Sequence, residues 1–296
     1  MSFHHQLLRI VSPFDQGIRL IGKSLGVSFK SQLRVLAYHD IPPNQEKYFL
    51  EQIYWLRKNW NIISPSEFEL MLSGVVPIIG NNLLITFDDG FKSNRVIAER
   101  VLNPLNIKAI FFVISDFVGL DNDAEAKDFI AKRIMPGNQA DDIPENITNM
   151  QWSDLEELLE AGHTIGCHTK THERLSNNLS ASELAKEIVF SAEKINQKLG
   201  IEVNNFAYTY GDIHSFNQEA LNIAMNNFDF VFSGIRGNNA YDVSQFTIRR
   251  EASAYQTSTN EYKIFRNEVL GMLLKGVFDF RYSKARQTID LWRSQL

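Results

Sequence analysis

From about residue 33 onward, two hydrophobic rhythms alternate along the chain. Short, nearly continuous apolar runs at 33–38, 83–87, 108–114, 164–167, 205–208, 228–232 and 246–250 predict buried strands. Between several of them the apolar spacing is helical. Phe49, Ile53, Leu56 and Trp60 mark one face of a helix over 45–60. Ser64, Pro65 and Glu67 predict a helix start with Ser64 as N-cap and Glu67 closing a capping box. A helix over 95–102 ends at Pro104. Another, over 154–161, is expected to be capped by Ser153 and stopped by Gly162. Ser180 and Glu183 form a further capping box, opening a helix that runs to Leu199 and stops at Gly200.

The alternation breaks between 115 and 150. That stretch holds eight acidic residues, two prolines and two glycines, with no sustained period. It reads as an insertion, about 116–150, with a short helix near Phe129. Strand–helix alternation over some 220 residues implies a parallel sheet, open or closed into a barrel. In either case ligands sit at the carboxyl ends of the strands.

Charge changes the picture at the two ends. The 296 residues carry a net −5, which disfavours a general nucleic-acid binder. Residues 31–261 hold 19 basic and 31 acidic groups, whereas residues 1–30 and 262–296 are net basic. Leu7, Val11, Phe14, Ile18, Ile21 and Leu25 form an amphipathic stripe disturbed by Pro13. At the other end Val269, Leu270, Met272, Leu273, Leu274, Val277, Phe278 and Phe280 lie among lysines and arginines. Two readings stay open: these ends pack on the central domain or between copies, or they lie on an anionic membrane surface. The expected division is an N-terminal extension at 1–32, a catalytic domain at 33–255 and a basic helical extension at 256–296. One cysteine, Cys167, excludes an intrachain disulfide. No apolar run reaches 18 residues, and Arg9, Asp15, Arg19 and Lys23 interrupt any signal-like core. The expected location is therefore cytoplasmic, with attachment at the inner membrane face under the second reading.

The candidate chemistry falls at predicted strand ends. Asp88-Asp89-Gly90 follows the strand at 83–87. Adjacent carboxylates repel unless a cation lies beside them, although a turn capping the next helix has the same composition. His168 and His172 follow the strand at 164–167, and a spacing of four lets two imidazoles reach one metal. Two histidines and one aspartate leave metal positions open for water and substrate, as in catalytic sites. His39, with Asp40 beside it, ends the strand at 33–38 and is a candidate general acid.

These residues carry a resemblance. Thr86-Phe87-Asp88-Asp89-Gly90 and His168-Thr169-Lys170-Thr171-His172 resemble the first two motifs of the polysaccharide deacetylases, carbohydrate esterase family four. Phe206-Ala207-Tyr208-Thr209-Tyr210-Gly211 resembles the third motif. Leu36-Ala37-Tyr38-His39 is similar to the first strand of the subgroup that includes poly-N-acetylglucosamine deacetylases. The resemblance implies an α/β fold, a deformed (β/α)7-type barrel. It implies a divalent metal, most often zinc, on Asp89, His168 and His172, with Asp88 as base. The backbone N–H of Tyr210 would face the oxyanion. His39 would be the acid, since no histidine follows His214.

Two positions depart from the family pattern. Thr209 replaces the usual proline, and Ala207 the arginine that commonly holds the base. Arg250, or failing that Arg249, is expected to supply that charge, because strand alternation lets only one point inward. The implied substrate is an N-acetylated amino-sugar glycan or lipid-linked sugar. A metal amidohydrolase of a small amide or formamide, and an inactive glycan-binding homologue, remain alternatives. His163, His214 and Cys167 are expected to serve structural or loop roles.

Overall fold

The computed structural model describes residues 31–252 except 177 and 242, the short strands at 256–257 and 263–264, and residues 267–296. The N-terminal stripe lies outside the described residues. The elements in chain order are β1 (Gln32–Tyr38), α1 (Glu46–Asn59), β2 (Asn61–Ile63), α2 (Pro65–Leu72), β3 (Asn81–Phe87), α3 (Lys92–Ile97) and β4 (Ile110–Val113). There follow α4 (Asp123–Phe129), α5 (Trp152–Glu160), β5 (Thr164–Cys167), α6 (Ala181–Leu199), β6 (Asn205–Ala207), α7 (Gln218–Asn227) and β7 (Phe230–Phe232). The chain closes with β8 (Gln256–Thr257), β9 (Lys263–Ile264), α8 (Asn267–Leu274) and α9 (Ser283–Ser294).

The first seven strands form one parallel sheet in the order β1-β3-β4-β5-β6-β7, with β2 paired to the early part of β3. Residues 245–251 close it. Ile248 bridges Phe232 and Glu251 bridges Leu36, both in parallel sense. The Glu251 N–H donates to Val35 O at 2.8 Å, and its carbonyl accepts from the Ala37 N–H at 2.9 Å. The result is a deformed (β/α)7 barrel whose last wall is irregular chain.

Both sheet faces are buried, which is why the strands read as continuous apolar runs. Val35, Leu84, Ile110, Phe112, Ala207, Phe232 and Ile248 share one cluster with Phe68 of α2. Their neighbours Leu36, Ile85, Phe111, Phe206 and Val231 join the larger cluster shared with the helices. The alternation therefore sorts inside from outside, residue by residue.

Several boundaries differ from the sequence expectation. The segment 246–250 is not a regular strand; it touches its neighbours only through isolated bridges. Strand β2 and helix α7 had no strong apolar signature. Helix α7 buries only Ala220, Leu221 and Ala224, so its stripe is narrow. The cap of α5 is Gln151, not Ser153, because the Asp154 carboxylate accepts the Gln151 N–H at 2.7 Å. Helix α3 starts before residue 95, at Lys92. It widens into a π turn (Ala98–Leu102), and Pro104 opens a single 3-10 turn (Asn103–Leu105). The capping boxes at Ser64 and Ser180 form as expected. The insertion folds on its own apolar cluster, in which Phe91, Phe117 and Ile130 meet, and α4 ends at Phe129.

The apolar residues of the C-terminal end are largely turned inward. Leu270, Leu274 and Ile289 join the main core, and Val269, Met272 and Leu273 are buried too, whereas Phe280 is exposed. Between α8 and α9, Asp279 accepts from Arg34 of β1 at 2.7 Å and lies 3.6 Å from Arg236. Arg236 also pairs with Glu251. Among the described residues no helix is long and apolar enough to cross a membrane.

Candidate active site

At the end of β3 the Asp88 N–H continues the ladder, donating to Tyr38 O at 2.9 Å. The chain then turns through Asp89 at φ 77 and Gly90 at φ 98. Strand phase points Asp88 inward after Leu84 and Thr86. There Arg250 donates from Nη1 to Asp88 Oδ1 at 2.7 Å, and from Nε to Ser233 O at 3.1 Å. Arg249 points away, donating to Asn238 O at 2.9 Å. Burial opposes ionisation of Asp88. The Arg250 charge, with the hydrogen bond it donates, offsets this and holds the carboxyl below its ordinary range.

The second aspartate has the opposite environment. Burial, which its neighbours do not offset, pushes the Asp89 carboxyl up to about 6. Its Oδ1 is buried without a hydrogen-bond donor. It lies 3.5 Å from His168 Nε2 and 3.5 Å from His172 Nε2. Each histidine turns its other nitrogen outward: His168 Nδ1 donates to Ala207 O at 2.8 Å, and His172 Nδ1 to Arg133 O at 2.8 Å. Those carbonyls fix the tautomer and aim both Nε2 lone pairs at the orphaned carboxylate oxygen. Desolvation keeps the imidazoles neutral, with His168 lowered to about 3 and His172 also lowered. The three ligand atoms lie within 4.8 Å of one another. Two neutral imidazoles, a carboxylate without donors and outer-sphere carbonyls together suit a divalent cation such as zinc.

Although spaced by four, the histidines do not lie on a helix. Thr169 and His172 adopt φ 67 and φ 62. The Thr169 hydroxyl accepts the His172 N–H at 3.0 Å, and Glu187 of α6 accepts the N–H groups of Lys170 and Thr171 at 3.1 and 2.9 Å. Asp89, Thr169, His172 and Tyr210 are four of the six non-glycine residues with positive φ among the described residues. Strained backbone is therefore concentrated around this site, as it often is where geometry serves chemistry.

The remaining candidates ring a cavity of about 320 Å³ that opens over Asp88 and Asp89. His39 lines it, half-buried, at the end of β1. Its neighbour Asp40 also lines it and accepts the Ser93 hydroxyl at 2.7 Å. Tyr210 flanks the mouth, 39% exposed, with its ring 4.8 Å from that of His172. Among the described residues nothing accepts its backbone N–H. The loop carrying it is seated by Gly211, where an added Cβ would meet Gly234 N at 2.3 Å. Thr209 ties the same loop across the site, its hydroxyl donating to Glu173 O at 2.7 Å. Ala207, facing the barrel interior, supplies a carbonyl for His168, while Arg250 brings the cation to Asp88.

Three residues lie apart from the cavity wall. His163, at the opposite end of β5, accepts the Ala109 N–H at Nδ1 over 3.1 Å and meets Asn103 at 2.9 Å. Cys167 faces α6, its Sγ 3.2 Å from Ser191 Oγ. His214 is exposed beside a second cavity. Sequence reasoning missed Arg133 and Glu187. Arg133 acts through its carbonyl, which any residue could supply, so no side-chain pattern marks it.

Comparison with known proteins gives a family and a fold. A sequence model described as polysaccharide deacetylase matches residues 79–227, half of the chain. YxkH of Bacillus subtilis (strain 168), named for the same family, is 25% identical over 200 residues, 66% of this chain; the chain spans 61% of its length. IcaB from Ammonifex degensii has a similar fold, with TM-score 0.62, 21% identity and coverage of 83% of this chain and 98% of that one. The deacetylase domain of BpsB from Bordetella bronchiseptica gives TM-score 0.57 at 21% identity, over 76% and 98% of the two chains. Streptococcus pyogenes deacetylase PplD, solved with acetate, gives TM-score 0.56 at 18% identity, over 75% and 92%. The match over half of the chain shows that it belongs to the polysaccharide deacetylase family.

Proposed function

We propose that this protein is a metal-dependent de-N-acetylase of an amino-sugar glycan, of the kind that includes poly-N-acetylglucosamine deacetylases. One observation carries the reading: a buried Asp89 oxygen without a donor, facing two correctly tautomerised imidazoles, next to an aspartate neutralised separately by Arg250. A divalent ion on Asp89, His168 and His172, zinc by preference, supplies Lewis acidity toward the acetyl carbonyl and acidifies water.

The chain's own residues do the rest. Asp88 is the base that takes the proton of the attacking water; Arg250 keeps it ionised and oriented. The free N–H of Tyr210 donates to the oxygen on which negative charge develops. His39 gives a proton to the departing sugar amine. Asp88 and Arg250 are buried, which strengthens the interaction between them. The glycan reading is favoured over a small amide because the cavity is an open mouth flanked by the exposed Tyr210 ring.

The test is acetate release from N-acetylglucosamine oligosaccharides by protein loaded with zinc. Asp88→Asn is expected to lower turnover by roughly 10²–10⁴-fold with metal content unchanged. His172→Ala is expected to lose metal and activity together. Wild-type turnover by Asp88→Asn would sink the base assignment. Tight metal binding by His172→Ala would sink the ligand set. Absence of acetate release from the loaded wild type, with a small amide cleaved instead, would replace the substrate class.

A further inference from the structure

A second cavity, about 750 Å³, lies between α9 and the loop that follows Tyr210. Ser176, Asn178, His214, Arg281, Lys284 and Trp292 contribute to its wall. Arg281 and Lys284 are both exposed, and among the described residues neither side chain meets a carboxylate. Nearby acids are already engaged: Asp279 pairs with Arg34 at 2.7 Å, and Asp212 faces Arg174 at 3.6 Å. Two unpaired cations therefore line a groove on a protein whose residues 31–261 are net −12. Half-buried Trp292, packed edge-on against Phe216 at 6.1 Å, gives the groove an apolar wall.

Two short, mutually bridged pieces of chain lead from the wall of the catalytic cavity to the wall of this groove. His172 and Tyr210 line the catalytic cavity; Ser176 and His214, each four residues further on, line the second. Four residues span at most about 14 Å. The two pieces are bridged at Leu175 and Phe216, and the Leu175 N–H donates to Ser215 O at 2.8 Å. On the first of these pieces, the Arg174 guanidinium lies 3.9 Å from the centroid of the Tyr210 ring, which lines the catalytic cavity.

We propose that this groove is a substrate subsite for an anionic group, a carboxylate or a phosphate, carried by the glycan a sugar ring or two from the acetamide that is cleaved. The proposal rests on the deacetylase reading and adds charge selectivity to it. Arg281 and Lys284 bind the anion, Asn178 and Ser176 offer neutral hydrogen bonds, and the Trp292 wall packs against a sugar face. The C-terminal helix thereby becomes part of the substrate site.

The test compares three tetrasaccharides: neutral N-acetylglucosamine, alternating N-acetylglucosamine and glucuronic acid, and a phosphomonoester of the neutral one. KM and kcat for acetate release are measured alongside calorimetric Kd. Wild type is expected to favour at least one acidic tetrasaccharide in KM and Kd by roughly tenfold. The preference should fade as salt rises toward about 0.5 M. Which acid is favoured distinguishes carboxylate from phosphate. The surface variant R281Q/K284Q should abolish the preference while leaving kcat and the neutral substrate unchanged, and R281K should retain most of it. Equal affinity of wild type for acidic and neutral chains, or a preference that survives in the double variant, overturns the subsite. If no tetrasaccharide releases acetate, the deacetylase reading fails, and Kd alone still decides the groove.

Discussion

Asp88 and Asp89 are adjacent and chemically identical, yet their surroundings drive them apart. Arg250 stabilises the charge on Asp88, whereas Asp89 is buried without a donor. Arg250→Gln is expected to remove that support and let desolvation dominate. The Asp88 carboxyl should then rise, moving the acid limb of kcat/KM to higher pH and cutting turnover by roughly 100-fold, with metal content unchanged. An unmoved acid limb in a pH-rate profile would refute the pairing role. His163 makes a separate prediction. Burial lowers it to about 4, and its Nδ1 already accepts the Ala109 N–H, so a second proton has no place there. Its folded pKa lies below its unfolded one, so the unfolded chain takes up the extra proton. Stability from this residue is complete above about pH 6.5 and is lost as pH falls toward 4, by on the order of 3 kcal/mol. Urea titrations should show the stability gap between wild type and His163→Gln closing over that window. A gap constant with pH would contradict the assignment.

At the scale of elements, the site depends on loops more than on the strands that deliver them. The loop after β6 is pinned by Gly211 against Gly234 and by the Thr209 hydroxyl. Gly211→Ala places a Cβ at φ 71 into a backbone 2.3 Å away. The expected cost is about 2 kcal/mol or more, with a further loss of activity as Tyr210 shifts. Thermal melts and acetate release should fall together; an active variant with wild-type stability would show the loop is not constrained this way. The capping boxes, the strand end that carries His168 and the helix ends at Gly162 and Gly200 were legible because they depend on local chemistry. Helix α7 and the closing segment at 245–251 were not. Helix α7 buries too narrow a stripe to set a clear period, and the form of the closing segment follows from the gap between β7 and β1 that it bridges.

At the scale of the molecule, the C-terminal helices are part of the folded body. Leu270, Leu274 and Ile289 enter the main core, and Asp279 compensates Arg34, which is almost fully buried. Asp279→Ala is expected to cost on the order of 3–5 kcal/mol, because it strands a buried guanidinium. A chemical denaturation midpoint equal to wild type would rule this out. Metal should stabilise the whole fold by mass action, adding roughly 2.7 kcal/mol when free zinc is a hundred times its Kd. The melting temperature should fall on chelation and recover with zinc. A melt indifferent to chelator would count against the Asp89, His168 and His172 set.

The sequence alone determined the alternating α/β order, the buried strands, and the motif residues at their carboxyl ends. Periodicity and ligand spacing are local, and each is written within a few residues. Tertiary structure decided which arginine meets Asp88, because Arg249 and Arg250 differ only in the face that the barrel's closure gives them. It also decided that backbone carbonyls of Ala207 and Arg133 aim the two imidazoles, since every residue carries a carbonyl and only packing selects one. Finally, it turned the basic, apolar C-terminal end inward, because burial depends on what surface the rest of the chain leaves uncovered.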